Sequence, residues 1–279
     1  MYKRNCEIKG DIVFPAGMTR IALGVEYNGA EFNGFQKESS TSNTVQQFLE
    51  KALSSVAAEE VTLVCAGRTD AGVHAAEQVV HFDTLAKRPS KAWVQGVNTH
   101  LPDEIRVHWS HDAGKHFHAR FSALQRRYRY VIYSGPVKPA ALNKQITWTS
   151  YPLDIKAMSH AAQHLVGEHD FTSYRATQCQ AKSPVRKVHD AHFYQKGDLL
   201  VFEICANAFL HHMVRNIVGA LLEVGRGAKP TAWVKEVLEL RDRRCAAATA
   251  PPWGLHLVHA AFPEEFAIPR KKLGPIFVS

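Results

Sequence analysis

The sequence predicts an α+β protein made of two successive βαββαβ halves, and three observations lead there. Alternating apolar segments of strand length recur along the chain, interleaved with helical apolar stripes. The order of strands and helices over residues 20–111 is repeated over residues 126–262. At 279 residues the chain can bury one large core or two ordinary ones, and its size favours two.

Residues 1–18 read as a mobile leader. Ile21, Leu23 and Val25 then alternate as a strand with one face on a core, ending at a Gly- and Asn-rich loop, 27–36. Thr44 followed by Gln47 is a capping box, opening a helix with Val45, Phe48, Leu49, Ala52 and Leu53 on one face. Val61–Cys65 and Gln78–Asp83 are strands, Ser90 is expected to cap a short helix bearing Trp93 and Val97, and Ile105–His111 is the fourth strand. The second half opens with the strand Arg126–Tyr133. Asp154 caps a helix carrying Ile155, Met158, Ala162 and Leu165, closed by Gly167. Val185–Gln195 and Leu199–Ala206 flank a Lys-Gly-Asp hairpin turn. A long helix is expected from about Ala208 to Val224, another over Ala232–Leu240, and a closing strand over Leu255–Phe262; a basic tail follows from Pro269. This order suits two ferredoxin-like halves, divided as 1–118 and 119–279, with mostly antiparallel sheets side by side and a central basic cleft. Such sheets serve as RNA platforms, as in the RRM, although fold alone does not assign function.

Composition narrows the function classes. The net charge is +8, with 34 basic against 26 acidic residues, which points to a polyanionic partner. No apolar run approaches the roughly 18 residues that span a bilayer, and the N-terminus lacks a secretory apolar core. Five cysteines, at 6, 65, 179, 205 and 245, form no C-x-x-C pair; this suits reduced thiols in a cytoplasmic protein.

Chemistry-bearing residues concentrate in a few stretches. Gly67 and Gly72 bracket Arg68, Thr69 and Asp70 after an apolar strand. Either Asp70 is a carboxylate presented beside Arg68, which would share its face and hold it ionised, or the stretch is a polar turn with an Asx bond. Phe117-His-Ala-Arg-Phe121 joins the halves, and Arg126–Tyr130 interleaves basic and aromatic residues. Tyr128 and Tyr130 share one face of that strand and Arg127 and Arg129 the other, which fits either RNA contact or a solvated edge. Arg215 interrupts an apolar helix and needs an anion such as Asp70, or else a route to water. His160 and His164 lack the glutamate of a zinc-protease motif, and His211 and His212, being adjacent, are not expected to face one ion together. No metal site and no phosphate-binding glycine motif is predicted.

Gly67-Arg-Thr-Asp-Ala-Gly-Val-His74 does not stand alone. Tyr27-Asn-Gly with Gly34-Phe-Gln, Phe117-His-Ala-Arg-Phe with Arg127-Tyr-Arg-Tyr, Gly167–Tyr174, Ser183-Pro-Val-Arg, Phe209–Gly219 and Ala250–Leu257 follow in order. Over about residues 20–262 this series resembles the tRNA pseudouridine synthase A family, with Phe35 where Trp is more usual. The resemblance implies a cofactor-free homodimeric enzyme that isomerises uridine at positions 38, 39 and 40 of the tRNA anticodon stem–loop. It implies that Asp70 is the catalytic carboxylate, Arg215 its partner, Arg68 the residue that extrudes the nucleotide, and Tyr128 and Leu255 the two sides of the base sandwich. RNA contacts are implied at Arg88, at Phe117, His118, Ala119, Arg120 and Phe121, and at Gln178, Cys179, Gln180, Ala181 and Lys182. Two rivals differ in class: an RNA-binding protein of the same fold without catalysis, and a histidine–metal hydrolase.

Overall fold

A computed structural model describes residues 14–38 and 41–279. Most of the expected leader, 1–13, therefore lies outside the described residues.

The first half folds as β1 (Thr19–Tyr27), α1 (Val45–Ala57), β2 (Leu63–Cys65), β3 (His74–Thr84), a wide helical turn (Ala92–Gly96) and β4 (Ile105–Asp112). The capping box at Thr44 and Gln47 is formed. Ser90 caps nothing. It bonds to Ser110 Oγ at 2.7 Å, and Pro89 supplies the carbonyl that accepts the amide of Ala92. The second half runs β5 (Gln125–Ser134), β6 (Thr147–Thr149), α2 (Ile155–Gln163), β7 (Gly167–Asp170), β8 (Val185–Lys196), β9 (Leu199–Ala206), α3 (Met213–Gly225), α4 (Trp233–Leu240) and β10 (Leu255–Ala261). Asp154 Oδ1 accepts from the amide of Ala157, so the expected cap on α2 is made. The short strands β6 and β7 had no sequence expectation.

The strands form one sheet in the order β4-β1-β3-β10-β5-β9-β8-β7, with β2 also on β3 and β6 also on β5. In the first half the neighbours read fourth-first-third-second strand, β4-β1-β3-β2. In the second they read the same way, β10-β5-β9-β8. This is the ferredoxin-like order twice over. The two sheets expected side by side are thus fused, because β10 pairs parallel with His74 and Ala75 of β3 and antiparallel with β5.

Both faces of the sheet are covered. Leu23, Val25, Val80, Phe82, Tyr128, Tyr130, Phe202 and Leu257 face the helices and make the larger core. Val79 and Ala22 point the other way, onto Phe117 and Phe262. Val131 and Val201 do likewise, and Val278 closes over them. The segment after Pro269, expected as a basic tail, is a strap on that second face. Lys271 is bonded to Glu26 and Glu77, and Arg129 donates to the carbonyls of Leu273 and Gly274.

Candidate active site

Asp70 sits in the Gly67–Gly72 loop that follows β2, and the loop is held from several sides. Arg126 donates to the carbonyl of Ala66 through Nε at 3.1 Å and Nη2 at 2.9 Å. The side-chain amide of Gln78 bonds both the amide and the carbonyl of Gly67. Thr69 is buried; its hydroxyl meets the Tyr27 hydroxyl at 2.8 Å, and its carbonyl accepts from the amide of Phe35 at 3.0 Å. Gly72 has φ +77°, and a Cβ there would come within 2.9 Å of Pro252. Only glycine combines that left-handed backbone with so close a neighbour.

The side chain of Asp70 points at the start of α3. Arg215 Nη1 stands 3.4 Å from Oδ2, His212 Nε2 3.5 Å from Oδ2, and His211 Nε2 3.4 Å from Oδ1. Arg215 does not run to solvent. Its Nε donates to the carbonyl of Ala250 at 2.9 Å, and its own carbonyl accepts from the amide of Ala250 at 3.1 Å. Gly219 makes that brace possible: a Cβ there would lie 2.0 Å from the carbonyl oxygen of Ala248. The helix can approach the 248–250 segment only where it carries no side chain.

Burial works to raise the Asp70 carboxyl, but the hydrogen bond from His211 and the charges of both histidines and Arg215 outweigh it. The net shift is below the ordinary carboxylate value. A charge pair near this distance is worth about 4 kcal/mol at an effective dielectric of about 20, so several such partners overcome partial burial. The hydrogen bond to Asp70 raises His211, whereas burial lowers His212. The pairing of Arg68 with Asp70 that the sequence suggested is absent: Arg68 is exposed, and it has no ion pair among the described residues. Its place is taken by His211, His212 and Arg215, the last of them 145 positions away in sequence.

The two histidines correct a second expectation. Although adjacent, they both face Asp70, with ring centroids 4.0 Å apart. His212 has φ +60°, a left-handed conformation that turns it to the same side as its neighbour and delays the start of α3 to Met213. That backbone had no sequence signal, since a helix through Ala208–Val224 fits the apolar spacing equally well. The ligand atoms of Asp70, His211 and His212 lie within 4.8 Å of one another, a metal-like cluster. With Arg215 against the same carboxylate, an added cation would meet strong repulsion.

Tyr128 is buried on the helix-facing side of β5, opposite Leu257 of β10 and Ile204 of β9. It meets Phe209 edge-on at 5.0 Å, and a Cβ at Gly67 would stand 3.6 Å from its hydroxyl. Burial raises its phenol further above the ordinary value, and the charge of Asp70 adds to the rise. Leu255 is buried on the same face, paired across the strands with Tyr130. On the opposite face Arg127 and Arg129 clasp Glu203, so β5 is an interior strand and not a solvated basic edge.

The expected RNA-contact residues divide by exposure. In the joining segment Phe117 and Ala119 are fully buried. His118 is half-buried and stacks on the exposed Phe121 at 4.3 Å, and Arg120 lies over the Phe121 ring at 5.6 Å. Gln178, Gln180 and Lys182 are exposed, Ala181 is half-buried and Cys179 is buried. Arg88 is exposed and donates to the carbonyl of Val56. Basic and aromatic groups therefore remain accessible in the first segment, and polar ones in the second.

Comparison with known proteins places the chain among relatives. A family model described as tRNA pseudouridine synthase matches residues 24–122 and 161–263. The tRNA pseudouridine synthase A of Pseudomonas aeruginosa is 56% identical over 264 residues, covering 95% of this chain and 93% of the relative. That of Alcanivorax borkumensis is 56% identical over 261 residues, covering 94% and 98%. That of Legionella pneumophila is 49% identical over 259 residues, covering 93% and 98%.

Proposed function

The chain belongs to the tRNA pseudouridine synthase family, and from that premise we propose that Asp70 isomerises uridine in the anticodon stem–loop of tRNA. The protein is an isomerase acting on tRNA uridine. The target positions are 38, 39 and 40. The observation that carries this reading is the Asp70 carboxylate, held ionised by His211, His212 and Arg215 and still partly open, with 21% of its side chain exposed.

The reaction breaks the bond from uracil N1 to ribose C1′, turns the base and joins C5 to C1′; the C5 proton then leaves to a base, Tyr128 or water, and N1 takes up a proton, so the product is an isomer. A carboxylate suits C1′, as a nucleophile or as the counter-charge to an oxocarbenium-like centre. Oδ2 faces Arg215 and His212 while Oδ1 faces only His211, the more exposed histidine, so Oδ1 is the oxygen offered to the sugar. Arg215, braced on Ala250, keeps the carboxylate ionised and aimed. The detached uracil must be shielded from water, or hydrolysis would leave an abasic site. Tyr128 stacks on one side of it and Leu255 on the other.

A uridine in a stem must be flipped out, which costs a few kcal/mol of stacking. Arg68, exposed and without an ion pair among the described residues, occupies the vacated space, and the basic surface offsets the cost through phosphate contacts. Arg88, the 117–121 segment and the 178–182 segment hold the tRNA. Residues 1–118 are the domain that brings Asp70, and 119–279 the domain that completes the cleft. The protein works in the cytoplasm as a homodimer with one tRNA touching both subunits. It uses no cofactor. No helix is long and apolar enough to cross a membrane among the described residues.

The test is tritium release from C5-labelled uridine in tRNA, together with a pseudouridine map of tRNA from cells lacking the protein. Loss of pseudouridine confined to the anticodon arm is expected. An unchanged map, or full turnover by Asp70→Asn, would sink the assignment; unchanged tRNA binding without turnover in the wild type would leave only an RNA-binding protein.

A further inference from the structure

The His211–His212 pair that contacts Asp70 also lines a cavity of about 220 Å³. Its wall is polar: Thr177, Gln178, His212, Asn216, Arg243 and Thr249. Arg243 is the permanently charged group in it. Nη2 donates to Asn216 Oδ1 at 3.1 Å and to Thr249 Oγ1 at 3.1 Å, and Nη1 donates to the carbonyl of Ala247 at 2.8 Å. Asn216 is fully buried and is itself fixed, its Nδ2 donating to the carbonyl of Tyr174 at 2.9 Å and its Oδ1 accepting from Thr249 at 2.7 Å.

Every hydrogen-bond acceptor that Arg243 meets is neutral, and no carboxylate pairs with it among the described residues. A half-buried guanidinium held rigid in a polar cavity, with its charge uncompensated, is poised for an anion. Two residues of its lining, His211 and His212, stand 3.4 and 3.5 Å from Asp70. One end of it is formed by Thr177 and Gln178, at the start of the segment already proposed to hold tRNA.

We propose that this cavity seats one RNA phosphodiester, the one adjoining the nucleotide presented to Asp70, with Arg243 as its charged ligand. The inference rests on the substrate reading above and adds to it a particular phosphate. Anchoring the backbone one side chain away from the carboxylate fixes where the flipped ribose lands, which is the positioning that a C1′ reaction requires. Arg243 acts on the RNA backbone and carries no base information.

The experiment uses an anticodon stem–loop oligonucleotide in which single phosphates near the target uridine are replaced, one at a time, by neutral methylphosphonates. Binding is measured with the wild-type protein, Arg243→Gln and Arg243→Lys. One methylphosphonate is expected to weaken wild-type binding about tenfold and to have no further effect on Arg243→Gln. The slope of log affinity against log salt should fall by about 1 in Arg243→Gln and stay near wild type in Arg243→Lys. A wild-type scan without a single sensitive linkage overturns the proposal even if the variants fold poorly. So does a sensitive linkage that weakens Arg243→Gln as much as wild type. If the wild-type protein does not bind the stem–loop at all, the substrate reading falls and this inference with it.

Discussion

Two carboxylates, Asp70 in the loop after β2 and Glu203 on β9, are both met by basic side chains, yet they are held very differently. Glu203 lies on the back face, 7% exposed, gripped at close range by Arg127 and at 2.7 Å by Arg129, under the strap that Arg129 also binds. Asp70 is three times as exposed, at 21%, and each of its charged neighbours stands off at 3.4–3.5 Å. Short charge-assisted bonds saturate a carboxylate, whereas a looser ring keeps it ionised and leaves a lone pair for something else. The first arrangement holds two strands together. The second is suited to chemistry.

That contrast can be broken in order of expected effect. Asp70→Asn should reduce tritium release by at least about 10³-fold while leaving the melting temperature close to wild type, because the ring around it is loose. A large fall in melting temperature with retained turnover would invert the comparison. Gly219→Ala drives a methyl group toward the carbonyl of Ala248, from 2.0 Å, and so displaces the segment bracing Arg215. Its turnover should drop about 100-fold, as for a misplaced catalytic group, alongside about 1–3 kcal/mol of stability lost to overpacking. Glu203→Gln should do the reverse of Asp70→Asn. It leaves Arg129 with no carboxylate and Arg127 with only Asp190, at 3.6 Å, at a cost of about 3 kcal/mol, read by urea unfolding, with kcat of the folded protein unchanged.

The smallest effect is spectroscopic. His211 should titrate above its ordinary 6.5 and His212 below it, resolved by NMR of labelled histidine. Asp70→Asn should bring His211 back down, since its shift comes first from the bond to Asp70. A folded value raised above the unfolded one stabilises the protein at low pH, and that contribution is lost as pH rises through the folded value. The depressed Asp70 has the opposite sign: its contribution is present above about 3.8 and lost as pH falls through its folded value. Both act together between those limits, so the small stability difference between wild type and Asp70→Asn should be largest in mildly acidic solution.

Periodicity made most of this fold legible, because helices and strands with one buried face repeat their apolar residues at fixed intervals. The cap at Asp154 and the capping box at Thr44 followed from local chemistry. What escaped was non-local or conformational. Glu203, with Asp190 also on Arg127, turned a basic stripe at Arg127 and Arg129 into a charge-paired cluster, and nothing in β5 itself announces partners on β8 and β9. A positive φ at His212 brought two histidines to Asp70, and histidine, though enriched there, adopts that conformation too rarely for one residue to announce it. Of the site, motif position identified Asp70, but Arg215 read equally well as a residue reaching water until the 248–250 segment was seen to hold it.

β10, which joins β3 to β5, is also the latest strand in chain order. During synthesis Asp70 emerges early, but the Ala250 carbonyl that braces Arg215, and the strand that fuses the halves, come about 180 residues afterwards, a long-range closure of the slow kind. Ribosome-bound chains stalled before residue 250 are accordingly expected to release no tritium from labelled tRNA. On the proposed reading, the order of translation completes the Asp70 site only once Ala250 and β10 have been made.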